Sequence, residues 1–302
     1  MSEKLGIPYM GSKRKLASDI LQKITQRHPD CTDFYDLFGG GGSISFTAIR
    51  DYRFNVHYNE LNKHIYSLVK YLKENKELEP KFYEWVTREE FHKQINKTND
   101  EADWYSGFVM SCWSFGNSQS SYLYGADIEE FKRLAHELIV NLDETAMFKL
   151  GLNMDGIFKI KEIQKRRIAF CSHVKKITEK RCDVQNLELV EHLTRLQNLQ
   201  NLQIYNKSYQ DIKIIGAKPV IYCDIPYKGT GEYKEGGFDH EAFYKWANEI
   251  EYPIYISEYD APFEKIEMFA HRSSLSATNN KKKVFESIFW NGKGEITKQT
   301  LF

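Results

Sequence analysis

Residues 219–230 read PVIYCDIPYKGT, and the fold follows from how they are parsed. Val220, Ile221 and Tyr222 make a short apolar run of the kind used by a buried strand. The run ends at Asp224, and the chain turns through Ile225-Pro226-Tyr227. Pro226 has its φ fixed by its ring and pushes Ile225 towards an extended conformation. Gly229 and Gly231 let the chain leave the turn without steric cost. An acid, a rigid backbone carbonyl and an aromatic ring therefore stand at the carboxyl end of a strand, where open α/β sheets bind ligands. The trio suits an aromatic exocyclic amine such as that of adenine, whose lone pair is delocalised into its ring. Asp224 and the Ile225 carbonyl can each accept one N–H, and Tyr227 can stack on the base. Taken alone, the same residues also read as a strand ending in an ordinary Asp/Pro turn.

Upstream, the pattern repeats with glycines. TDFYDLF (32–38) reads as a strand over Asp33 to Phe38, Gly39 to Gly42 follow, and Ser43 opens a helix to about Arg50. Glycines permit a tight turn and a close approach of ligand to backbone, and the start of a helix favours an anionic group. FNVHY (54–58) is a second strand ending in Asn59-Glu60, which puts an acid about 20 residues after the glycines, suited to the two hydroxyls of a ribose. Before this unit, LGIPYMGS (5–12) is a loop, Ser12 is a candidate cap, and Ala17, Ile20, Leu21 and Ile24 recur at helical spacing within 13–27.

Residues 62–74 continue as a helix, with Ile65, Leu68, Val69 and Leu72 on one face. From 75 to 184 helical periodicity dominates, which predicts an inserted, mainly helical module. Its loop 111–125, SCWSFGNSQSSYLYG, sets Trp113, Phe115, Tyr122 and Tyr124 among small polar residues such as Asn117, and suits a probe of a groove or a base stack. Residues 159–181 carry nine Lys/Arg, among them Arg166, Arg167, Lys175 and Lys176, against two Glu. That bias predicts phosphate contact, although charge runs are more often solvated helix faces. Lys13, Arg14, Lys15 and Lys281 to Lys283 are further candidates. Beyond the module, helix is expected at 185–199 and 239–249, and strand at 202–206, 252–257, 264–269 and 284–290, the last as a surface edge strand.

Composition frames these motifs. The chain has 302 residues, 41% hydrophobic and 28% charged, with 19 Tyr, 19 Phe and a net charge of zero. That is a globular composition, and any nucleic-acid surface must be local. Five scattered cysteines without a CxxC or Cys/His cluster argue against zinc and against a disulfide framework, and fit a reducing cytoplasm. No apolar run reaches the roughly 18 residues of a membrane span, and the first residues lack the apolar core of a signal peptide.

YMGSK (9–13), DLFGGGG (36–42), NELN (59–62) and DIPY (224–227), in this order, resemble the Dam-type adenine-specific DNA methyltransferases. The resemblance runs from about residue 8 to the end. It implies an α/β fold: a doubly wound, mostly parallel, Rossmann-like sheet with an antiparallel strand near one edge. The catalytic domain would span 1–74 and 185–302, and 75–184 would be the DNA target-recognition module. It implies S-adenosylmethionine as methyl donor and no metal. The substrate would be double-stranded DNA whose adenine is flipped out of the duplex. By position, Asp224, Ile225, Pro226 and Tyr227 match the catalytic tetrapeptide. Tyr9, Lys13, Asp36, Phe38, Gly39, Gly40, Gly41, Glu60, Tyr209 and Asp224 match cofactor-binding positions. Arg166, Arg167, Lys175, Lys176, Trp113, Asn117 and Tyr122 are the candidate DNA contacts. The family has Pro where Ile225 stands, and an acid where Ser208 precedes Tyr209. A backbone carbonyl is what the first position supplies, and Asp211 is a candidate substitute at the second. A cytoplasmic bacterial or phage enzyme, a cognate restriction endonuclease, and a monomer or weak dimer are further implications. An amine of cytosine or of RNA adenine, or an inactive binding protein of the same fold, are the alternatives.

Overall fold

The computed structural model describes residues 4–177, 199–228, 237–272 and 283–294. Two compact units divide the chain: Met1–Gly6, Ser12–Asn62 and Gln197–Phe302 in one, Ile7–Gly11 and Lys63–Leu196 in the other.

The first unit is built on a seven-stranded sheet. Its strands are β1 (Asp33–Asp36), β2 (Asn55–Asn59), β3 (Leu202–Tyr205), β4 (Pro219–Asp224), β5 (Ile254–Glu258), β6 (Glu264–Arg272) and β7 (Lys283–Trp290). They lie in the order β3-β2-β1-β4-β5-β7-β6. The pairs from β3 to β5 are parallel, while β7 runs antiparallel to both β5 and β6. This is a Rossmann-like, mostly parallel sheet with the antiparallel strand near one edge that the resemblance implies. Strand β4 is buried from Pro219 to Cys223, as its apolar run predicts. In register, Asp36 faces Tyr222, so the acids that end β1 and β4 come out at one edge of the sheet.

The unit's helices are α1 (Ala17–Arg27), α2 (Ser43–Asp51) and a later helix His240–Glu249. In α1 the buried side chains are Ala17, Ile20, Leu21 and Ile24, the face read from their spacing. The last helix sets Phe243 and Ala247 into a core with Tyr35, Ile221, Cys223, Ile225, Ile254, Ile256 and Phe289. Each large apolar side chain so buried contributes roughly 1.5–3 kcal/mol.

The second unit holds α3 (Lys63–Glu74), α4 (Arg88–Ile95), α5 (Trp104–Cys112), α6 (Glu129–Val140), α7 (Glu144–Lys149) and α8 (Ile163–Ile177). The helix His240–Glu249 is therefore α9. Helices α3 and α5 meet at Gly107, where a Cβ would come within 2.2 Å of the His64 carbonyl oxygen. His64 Nδ1 also lies 2.7 Å from Ser106 Oγ. Helix α3 thus packs against α5 within this unit.

Three local expectations need correction. Ser12 is not the cap: Leu16 is the N-cap of α1 and makes no side-chain cap bond, and the Ser12 hydroxyl is buried without a hydrogen-bond partner among the described residues. Strand β7 is not an edge strand, because β6 covers its outer side. Trp113 is not a loop residue but the C-cap of α5. The expected helix over 185–199 lies outside the described residues except for Leu199, as do Gly229, Gly231, Lys281 and Lys282. Among the described residues, no helix is long and apolar enough to cross a membrane.

Candidate active site

Strands β2, β1 and β4 end side by side, and their last residues carry the chemistry. Asp224 ends β4. Its carboxylate Oδ1 lies 2.7 Å from Lys13 Nζ, with 21% of its side chain exposed. Lys13 Nζ is also 3.1 Å from Glu286 Oε1 on β7 and 4.9 Å from the centre of the Tyr227 ring. The Tyr227 hydroxyl donates to the same Glu286 oxygen at 2.6 Å. Two carboxylates, one ammonium and one phenol thus close a compact buried cluster.

The turn after Asp224 is pinned from both sides. His240 Nε2, at the start of α9, lies 2.8 Å from the Pro226 carbonyl oxygen, which assigns the proton to Nε2. The Lys228 N–H donates to Glu258 Oε2 at 3.2 Å. Ile225 buries its side chain in the core, and Tyr227 meets Tyr259 edge to face at 4.7 Å.

Charge and burial compete here. Burial raises the Asp224 carboxyl to about 6; the Lys13 charge opposes the rise and the Glu286 charge adds to it. Burial works against the Lys13 ammonium, but Asp224 and Glu286 outweigh it and hold the group above the usual lysine value. Asp36 is pushed to about 7 by burial, with the Ser45 hydroxyl opposing and the Asp224 charge adding. Ser45 donates to Asp36 Oδ2 at 2.7 Å.

The glycine loop lies beside these acids. A Cβ on Gly39 would fall 2.1 Å from the Tyr58 ring, and the Tyr58 hydroxyl donates to the Gly40 carbonyl at 2.7 Å. Gly42, at φ +72°, is the N-cap of α2 and takes the left-handed conformation that glycine allows. Glu60 is buried, and burial raises its pKa against the backbone N–H groups of Asn62 and Gly40. The Gly40 N–H donates to Glu60 Oε2 and the Asn62 N–H to Oε1, each at 2.7 Å. Phe38 packs against Tyr209 at 5.5 Å and Phe243 at 5.7 Å. Tyr209 follows Ser208 in a half-buried turn, with Asp211 exposed.

The structure therefore brings together Lys13, Asp36, Phe38, Gly39, Gly40, Gly41, Glu60, Tyr209, Asp224, Ile225, Pro226 and Tyr227 in one unit. Tyr9 is half-buried and groups with the helical unit. Lys13, also a candidate phosphate contact, is instead buried in ion pairs. Sequence reasoning passed over Glu286, Glu258 and His240. The available signal was the single acid inside the apolar run VFESIF, which an edge-strand reading leaves in solvent.

The candidate DNA contacts divide sharply. Trp113 is completely buried, edge to face with Trp85 at 5.0 Å. Tyr122 is buried too, and its hydroxyl donates to the Val86 carbonyl at 2.7 Å. Arg166 is buried, with Nη1 donating to Val140 and Nη2 to Lys161 carbonyls. These three are core residues of the helical unit, not surface contacts, because the chain around them needs their apolar area or their donors. Arg167 is half-buried and Lys175 exposed on α8. Lys176 lies on the same helix. Asn117 is half-buried, at φ +58°, near the exposed Phe115. Among the described residues, no three His, Cys, Asp or Glu side chains group closely enough to hold a metal ion.

The chain matches the family model of the D12 class N6 adenine-specific DNA methyltransferases over residues 9–252. No curated protein matches it.

Proposed function

The chain belongs to the D12 class of N6 adenine-specific DNA methyltransferases, and from that premise we propose that Asp224, Ile225 and Tyr227 carry the transfer. The family implies S-adenosylmethionine as methyl donor and DNA as substrate. The residues fit that donor. Gly39 leaves no room for a side chain, and Glu60 is held by two backbone N–H groups with lone pairs left to accept hydroxyls. The Asp224 and Glu286 carboxyls outnumber the Lys13 ammonium, with Asp36 and Glu60 beside them, which favours a cation. When bound, the donor supplies an activated methyl group on a positively charged sulfonium.

In this reading a flipped adenine enters at the end of β4, since its amine is out of reach inside the stack. Asp224 and the Ile225 carbonyl each accept one N–H and aim the nitrogen lone pair at the methyl group. Tyr227 stacks on the base. Asp224 would orient the amine without taking a proton before transfer; the methyl would leave the donor's sulfur behind as a neutral thioether, and the methylated nitrogen would then give its proton to the Asp224 carboxylate that holds it. Gly39 to Gly41, Glu60, Phe38, Asp36 and Tyr209 surround the donor, and Tyr9 joins them by resemblance. Arg167, Lys175, Lys176 and Asn117 meet duplex DNA from the helical unit, read here as the recognition module. A cytoplasmic bacterial or phage setting, a partner endonuclease and a monomeric or weakly dimeric enzyme complete the reading on family grounds alone.

The observation that carries it is the Lys13–Asp224 pair at the end of β4: a partly exposed carboxylate 2.7 Å from an ammonium at the carboxyl end of the sheet. The test is methyl transfer from labelled S-adenosylmethionine to unmethylated duplex DNA by wild type and Asp224→Ala, with base analysis of the product. Label in methyladenine, lost in Asp224→Ala while DNA binding persists, is expected. Parallel loss of binding and transfer overturns the division of labour, and label in methylcytosine changes the target base.

A further inference from the structure

We propose that Glu286 is a positioning residue for methyl transfer, holding the Tyr227 ring by its phenol and the Lys13 ammonium against Asp224 through one carboxylate oxygen. The proposal rests on the reading of Asp224 to Tyr227 as the catalytic segment, and it concerns a residue outside the matched segment 9–252.

The sheet register brings Glu286 to the site. Asp224 pairs with Ser257 on β5, and Ser257 pairs with Ile288 on β7. Ile288 and Glu286 are two apart, so their side chains point to the same face of the strand. Because β7 runs antiparallel, Glu286 lies towards the carboxyl ends of β4 and β5. The residue is almost fully buried, where an unpaired carboxylate is costly. Its Oε1 accepts from Tyr227 at 2.6 Å and pairs with Lys13 at 3.1 Å. A ring meant to stack on a base has rotational freedom about its side-chain bonds. A hydrogen bond at the far end of the ring removes that freedom before the base arrives. Lys13 is held in the same way, so its charge stays at Asp224 Oδ1. Preorganisation of this kind speeds chemistry more than it tightens binding.

The groups facing Asp224 are Lys13 before α1, Tyr227 after β4, Glu286 on β7 and Asp36 on β1. Glu258 on β5 and His240 on α9 stand behind them. Among these Glu286 and Asp36 disfavour the Asp224 charge, while the Lys13 ammonium and a hydrogen bond with Tyr227 favour it.

The test compares Glu286→Ala, Glu286→Gln and Asp224→Ala in the full chain, by kcat, KM for S-adenosylmethionine and the pH profile of kcat/KM. Glu286→Ala is expected to lower kcat by about tenfold to a hundredfold with KM little changed. Glu286→Gln keeps an acceptor for the phenol but removes the charge, so its kcat falls less. Its acid limb moves to lower pH, because a negative neighbour of Asp224 has gone. A merely structural residue would not move that limb. Should Glu286→Ala fail to fold, Glu286→Gln decides alone. Wild-type kcat and an unmoved limb in Glu286→Gln, with Asp224→Ala inactive, overturn this proposal and leave the catalytic reading standing. An active Asp224→Ala overturns both.

Discussion

Lys13 Nζ sits 2.7 Å from Asp224 Oδ1, so the segment ahead of α1 sets the charge at the end of β4. Burial alone would favour a neutral carboxyl at Asp224. The ammonium resists this, and the balance leaves the carboxyl at about 6, ionised at neutral pH yet close to titration.

A pH dependence follows. If the ionised carboxylate orients the amine, kcat/KM rises with pH through about 6 and is flat above it, since this parameter reports the free enzyme. Lys13→Met removes the charge that lowers the Asp224 pKa, so the acid limb shifts upward, towards neutral pH. The measurement is kcat/KM against pH for both proteins. An unshifted limb in Lys13→Met would show that Asp224 does not set it.

Asp36 carries the opposite kind of consequence, for stability. Its folded pKa of about 7 stands above the ordinary aspartate value of 3.8. The folded state therefore binds a proton that the unfolded state has released, and stability falls as pH rises from about 4 to 7. Asp36→Asn removes that loss while keeping an acceptor for Ser45. It should unfold at higher urea than wild type, with a gain at pH 8 of up to about 4 kcal/mol at 1.36 kcal/mol per pKa unit. The gain at pH 5 is smaller. Equal differences at the two pH values would mean that the Asp36 pKa is not raised in the fold.

Gly39→Ala tests the glycine loop. The added methyl would meet the Tyr58 ring at 2.1 Å, and that ring is tied by its hydroxyl to Gly40. It cannot swing away without losing a buried hydrogen bond. A loss of roughly 1–3 kcal/mol of stability is expected, together with weaker binding of S-adenosylmethionine as the loop is displaced. Urea unfolding and calorimetric titration read the two effects. Unchanged affinity would separate the loop from the donor.

Much of this was legible in the sequence for definite reasons. Strands β1, β2 and β4 carry Val, Ile, Phe and Tyr ahead of acids or glycines, so their type and approximate position could be read locally, although β1 stops at Asp36 and not at Phe38. Lys13 was expected at the cofactor, but its pairing with Asp224 and Glu286 joins segments remote in the chain, and no local pattern records that. Glu286 was missed because β7 pairs with β6 on its outer side, and a strand's place in a sheet depends on pairing, not on its own residues. Arg166 was misread because charge composition does not say which face of α8 is buried. Buried carbonyls of Val140 and Lys161 claim that guanidinium.

The aromatic loop after α5 offers a last test, in which two neighbouring rings should behave oppositely. Trp113 is fully buried, while Phe115 is 67% exposed. Between them the chain turns outward: Ser114 and Tyr122 bridge antiparallel, and the Phe115 N–H donates to the Ser121 carbonyl at 2.8 Å. This closes a loop that displays Phe115 while its stem packs inward. Trp113→Ala should cost about 3–5 kcal/mol, as large core truncations do, and any effect on DNA would follow from unfolding. Phe115→Ala should change stability by no more than about 0.5 kcal/mol and weaken binding to duplex DNA if the loop meets the substrate. Thermal unfolding and DNA titration on the same two variants separate these outcomes. A Phe115→Ala protein that binds and methylates DNA as wild type does would remove this loop from the recognition surface.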